Sequence, residues 1–174
     1  MLSLFKKIVT WIERLSVKSG KWISWATTAL VILICIDVLQ RYLFNYSKNW
    51  ILELEWHLFA LIFLIGAAYT LKEDKHVRVD LFYAQFSKKK KAWIDLIGSI
   101  FFLIPWCFLV IVKSFDYALN SFSFREGSAN PGGLPALYII KFCIVLGFIL
   151  LMLQGIAICL KSILTISGSK TNSN

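Results

Sequence analysis

The residues able to do chemistry in this chain stand at the edges of long apolar stretches. Asp37 and Arg41 are four positions apart, and Glu53 and Glu55 open an apolar run that closes before His76 and Asp80. Lys113, Asp116 and Lys141 border two later runs. Such groups beside hydrocarbon could relay protons, pass an ion, or pair with one another. A charge at the centre of a membrane helix costs about 2.5–3.5 kcal/mol on insertion scales, and less near the interface. Each must therefore be paired, hydrated or turned toward another protein. Asp37 and Arg41 share one helix face and can pair directly. Glu53 and Glu55 are about 200° apart around a helix, so they cannot share a partner, and at least one must look away from the first helix. A structural network is favoured over an ion or proton pathway, because the later apolar stretches carry no charge at mid-depth.

Other chemistries find little support. Haem held between membrane helices needs facing histidines, and only His57 lies within an apolar stretch. Two histidines and four separated cysteines, Cys35, Cys107, Cys143 and Cys159, give no zinc spacing. The cysteines read as buried free thiols. No nucleophile motif or glycine-rich phosphate loop is present, so neither a cofactor nor an enzymatic activity is expected. The net charge of +9 does not point to nucleic acid, because the basic residues flank the apolar stretches, where anionic lipid headgroups account for them.

The elements that must position these residues are membrane helices. The chain has 174 residues, is 58% hydrophobic and only 17% charged, with a mean hydropathy of +0.69. A membrane helix needs roughly 20 mostly apolar residues. Four stretches qualify: Trp22 to Tyr42, Trp50 to Leu71, Ala92 to Val112 and Tyr138 to Leu160. Tryptophans and tyrosines near their ends suit an interfacial belt. Lysine and arginine concentrate before Trp22, between the second and third spans, and in the tail, which places both termini in the cytoplasm. On that topology Asp37, Arg41, Glu53, Glu55, Lys113, Asp116 and Lys141 all fall near the outer surface.

Residues 1–21 repeat Leu4, Ile8, Trp11, Ile12 and Leu15 at helical spacing, the pattern of an amphipathic helix lying among headgroups. The basic start and apolar run could be a signal peptide, but no small-residue cleavage site follows. Bulky Ile34 before Cys35 argues against a lipoprotein site, so the first helix is expected to stay. Pro105 predicts a kink in the third span. Asn130-Pro131 and Gly132-Gly133 mark turns before the last helix. Residues 22–161 thus form one four-helix membrane region, and 162–174 a disordered tail.

Several pieces, in order, resemble the small membrane subunit (DctQ-like) of tripartite ATP-independent periplasmic transporters. They are Arg41-Tyr42, Trp50-x-x-Glu53-Leu54, Phe63-Leu64-x-Gly66-Ala67, and His76-Val77-x-Val79-Asp80. Leu134-Pro135, Lys141, Gly147 and Leu153-Gln154-Gly155 follow. The resemblance runs from about Trp22 to Lys161. It implies an all-α, four-span protein of the bacterial inner membrane that forms a heterodimer with a larger, many-helix subunit. That large subunit carries substrate with sodium, and a soluble periplasmic protein delivers the substrate, an organic acid such as a C4-dicarboxylate or sialic acid. The small subunit would then be a non-catalytic scaffold. Arg41 and Glu53 would tie the first two helices together or bind the partner, and His76 and Asp80 would shape the cytoplasmic turn. Glu55 is an extra acid beside the motif. The alternative is a small membrane subunit of a redox or channel complex.

Overall fold

A computed structural model describes residues 2–74, 83 and 85–168. His76 and Asp80, and residues 169–174, lie outside the described residues. Residues 162–166, expected in a disordered tail, instead continue the last helix, with Ser162 and Leu164 buried against the bundle. The regular structure among the described residues is helical, with no strand among them. Helix α1 runs Leu2–Phe44, α2 Asn49–Lys72 and α3 Lys88–Gly98. A π-helical turn, Ser99–Leu103, joins α3 to α4, Ile104–Ser123, and α5 runs Tyr138–Ile166. Four rods are long and apolar enough to cross a membrane: Ser3–Phe44, Asn49–Lys72, Lys88–Ser123 and Tyr138–Ile166. They contain the four spans expected from hydropathy.

The N-terminal helix expected over residues 1–21 is the first half of α1, continuous with the span that follows. At 43 residues, α1 is roughly 65 Å long. No proline interrupts it, and Gly20 is covered by the Tyr69 ring of α2. Val9, Ile12 and Ser16 are buried, so these turns pack on the bundle through a face of their own. Leu4, Ile8 and Trp11 stay exposed.

Pro105 has no N–H to donate and its ring crowds the carbonyl four residues back. The helix answers by widening: Ile104 N–H reaches the Ser99 carbonyl, five residues earlier. The third rod therefore runs on through Pro105 without a break. Ser87 caps its start by accepting from Lys90 N–H.

Helix α5 is the hub. The α1–α2 pair packs on it from one side and α3–α4 from the other. In its most apolar stretch 39% of the residues are buried within the chain, against 6% for α1. Helices α1 and α2 are antiparallel, since Gly20 meets Tyr69 and Asp37 lies near Glu55. Helices α2 and α5 run the same way, with Glu53 beside the segment leading into α5 and Leu64 beside Gly147. Their close approach needs Gly147: a Cβ there would stand 2.9 Å from both the Cβ and the carbonyl oxygen of Leu64. The layered arrangement leaves large side chains such as Phe101, Phe102, Trp106 and Phe108 exposed on one outer rod, and Val31, Ile32 and Leu39 on the other.

Candidate functional site

The charges that the sequence places at one depth form separate clusters. The first lies between α1 and α2. Arg41 Nη2 donates to Asp37 Oδ2, one helical turn back. Asp37 is only 2% exposed, and its other oxygen, Oδ1, has no hydrogen-bond partner among the described residues. Glu55 faces this pair closely enough to feel both charges, and its Oε1 is likewise buried without a hydrogen bond. One arginine thus faces two acids at the end of the helix pair nearest the α1–α2 connection.

The second cluster is built on Glu53. Its carboxylate does not reach for Arg41; it turns away from α1 and holds the loop between α4 and α5. Ser128 Oγ and Asn130 Nδ2 donate to Oε1, the latter at 2.9 Å. The Leu134 N–H donates to Oε2 at 2.6 Å. One turn earlier, Asn49 Nδ2 donates to the Pro131 carbonyl at 2.9 Å. The tie expected between Arg41 and Glu53 is therefore replaced by two others. The reason is angular: Glu53 and Glu55 point to opposite sides of α2, and Glu55 takes the α1 side.

The loop that Glu53 holds is also laced to itself. Ser128 N–H donates to the Leu134 carbonyl and Leu137 N–H to the Glu126 carbonyl. Ala136 sits at φ +68° and Arg125 at φ +45°, a left-handed conformation unfavourable to side-chain-bearing residues. Anchoring from both ends holds it there. Glu126 Oε2 accepts from Lys141 Nζ at the top of α5, and that hydrogen bond holds the Glu126 carboxyl below its ordinary range. The Lys141 ammonium also lies 3.9 Å from the centre of the Tyr117 ring, so it bridges α4, the loop and α5. Lys113 and Asp116 are exposed on α4. His57 Nδ1 donates to the Glu53 carbonyl at 2.6 Å, a local bond within α2.

At the opposite end of the bundle lies a group that the sequence reading missed. Ser16 Oγ donates to Gln154 Oε1 at 2.9 Å, with both residues 1% exposed. Beyond it, Lys161 pairs with Glu13 and Lys72 with Glu73 at 2.6 Å. Gln154 was the available signal: an amide within an apolar span must find a partner. Ser128, Asn130 and Glu126 were hidden in a loop whose folding no periodicity reports.

Among the described residues, no group of three or more histidine, cysteine and acidic side chains converges as a metal site would. The Glu53 and Lys141 side chains tie α2 and α5 to the loop between α4 and α5. Comparison with known proteins agrees with an assembly of this kind. A family model described as "Tripartite ATP-independent periplasmic transporters, DctQ component" matches residues 30–165. A search of curated proteins gave no match.

Proposed function

The chain belongs to the DctQ family of tripartite ATP-independent periplasmic transporters, and from that premise we propose that it braces the large transport subunit without binding substrate itself. Membership makes it a multi-pass protein of the bacterial inner membrane and a component that works with a large membrane subunit and a substrate-binding protein. In the proposed arrangement both termini face the cytoplasm. The large subunit moves an organic acid, a C4-dicarboxylate or sialic acid, with sodium, and the periplasmic protein delivers it to the outer side.

The observation that carries the bracing role is the first cluster. Asp37 and Glu55 each keep a buried oxygen without a hydrogen bond among the described residues, and Arg41 alone faces them both. Buried polar atoms left unsatisfied are costly in hydrocarbon. A basic side chain from the large subunit, entering beside Arg41, completes the cluster. The exposed aromatic faces of the α3–α4 rod and the exposed face of α1 supply apolar area for the same assembly.

The test is co-purification with the large subunit, paired with uptake into liposomes. Asp37→Asn and Glu55→Gln should each lower the yield of the complex and uptake together, while the binding protein keeps its affinity for substrate. Full yield from both variants would refute docking through this cluster. Sodium-driven uptake by the small chain alone would refute the accessory role. For topology, a cysteine at Ala129 should react with a reagent outside the cell and one at Lys89 should not; the reverse pattern would invert the orientation.

A further inference from the structure

The inner end of the α1–α2 pair holds a second feature that the bracing role does not use. An open cavity of about 450 Å³ is lined by Thr10, Arg14, Val17, Lys18 and Lys21 of α1 and by Lys72 of α2. Positions 10, 14, 17 and 21 follow the four-and-three spacing of one helix stripe, so their side chains share a face. The lining includes one acid, Glu13, and it is engaged by Lys161. Lys72 is matched by Glu73. Arg14, Lys18 and Lys21 have no carboxylate partner among the described residues.

Three uncompensated cations converging on one cavity call for an anion. The depth of the cavity identifies which. Trp22 and Trp25 follow directly on α1 and are 75% and 76% exposed. Exposed tryptophans beside an apolar span mark the boundary between headgroups and acyl chains. Beyond them, Val31 and Ile32 present the exposed apolar face of the same helix. A ligand here meets cations at its head and hydrocarbon-facing helix below. We propose that this cavity binds the phosphodiester headgroup of an anionic phospholipid, in the leaflet nearest the start of α1. Its two free phosphate oxygens accept from Arg14, Lys18 and Lys21, and its acyl chains lie along α1. Basic pockets between membrane helices hold acidic headgroups by this combination of charge and shape.

The experiment uses the full chain, delipidated in neutral detergent and titrated while bound lipid is counted by native mass spectrometry. Phosphatidylglycerol should bind, and phosphatidylcholine and inorganic phosphate should not. Each neutralised cation should weaken binding roughly 5-fold, which corresponds to about 1 kcal/mol per basic residue near a headgroup. The triple variant Arg14→Gln, Lys18→Gln, Lys21→Gln should therefore lose on the order of 100-fold. Neutralising Lys88, Lys89 and Lys90, which are exposed at the start of α3, should leave binding unchanged. Labelling of the buried thiols Cys107 and Cys159 reports whether the fold persists. If the triple variant unfolds, the single change Lys18→Gln carries the test at roughly 5-fold. Equal binding of phosphatidylcholine, equal loss in the Lys88–Lys90 variant, or binding of inorganic phosphate as tight as that of the lipid would each overturn the proposal. These outcomes do not depend on co-purification with the large subunit, so the two readings fail separately.

Discussion

Adding one methyl group at Gly147 tests the packing on which everything else rests. In the Gly147→Ala variant the new Cβ would stand 2.9 Å from Leu64 Cβ, 2.9 Å from the Leu64 carbonyl oxygen and 3.1 Å from its carbonyl carbon. Ordinary contacts of this kind lie at 3.4–4 Å. Two of the three atoms are backbone, so no rotamer change relieves the clash. Helices α2 and α5 must separate by roughly half an ångström to one ångström, and overpacking of this type costs about 1–3 kcal/mol. For a chain of this size 1 kcal/mol moves the melting temperature by roughly 2–4 °C, so a drop of roughly 2–12 °C is expected.

The fold supplies its own probe. Cys107 is fully buried on α4 and Cys159 is 8% exposed on α5, so a thiol-reactive dye reports the opening of both. Cys35 is exposed and Cys143 half-buried, and both are replaced by serine in the background. Gly66→Ala on α2 is the matched control, because a Cβ there meets nothing within 4 Å. It should be neutral or stabilising by up to about 1 kcal/mol through helix propensity. If Gly147→Ala melts with its background while Gly66→Ala melts lower, the close approach of α2 and α5 is wrong.

Three further perturbations address the polar ties. Glu53→Ala should speed hydrogen exchange at the Ser128 and Leu134 amides, whereas Glu55→Ala should leave those amides protected; equal protection in both variants would refute the loop anchor. Gln154→Leu removes the amide that meets Ser16 and should destabilise by about 0.6–1.7 kcal/mol, the range measured for hydrogen bonds between membrane helices, read as earlier labelling of Cys159. The Glu126 carboxyl is held below its ordinary value of 4.5 by Lys141, so its contribution is present above that value and is lost as pH falls through the lowered one. Exchange at the Leu137 amide should therefore rise only in acid, and Glu126→Gln should abolish that pH step.

What the sequence could tell about this protein divides along physical lines. Span number and position were legible because burying a backbone in hydrocarbon demands a long apolar helix, a property of each segment alone. Pro105 marked where the third rod departs from α-helical geometry, though not that it would do so by a π turn. The angular argument that Glu53 and Glu55 cannot serve one partner was sound, and one of them does look away from α1. Which one was not legible: the answer depends on the loop 125–137 folding back over α2, set by turn residues and not by periodicity. Lys141 was singled out as a charge needing a partner, but Glu126 stands fifteen residues earlier on that same loop. Residues 1–21 showed helical spacing, yet their buried face is Val9, Ile12 and Ser16, because a serine can face the bundle when Gln154 waits there.

That last pairing explains how a chain so rich in leucine, isoleucine and phenylalanine fixes one arrangement. Lipid tails are as apolar as leucine, so apolar contact alone gives membrane helices little reason to choose one rotation or depth over another. Close packing and polar ties must make the choice. Helix α5 carries a fixing point at each level. Lys141 ties its start to Glu126 and Tyr117. Gly147 seats its middle against Leu64. Gln154 and Lys161 tie its second half to Ser16 and Glu13 of α1. A slip of one residue rotates α5 by about 100° and breaks all three levels together. Rigidity of this kind in the central helix is what the proposed bracing role requires.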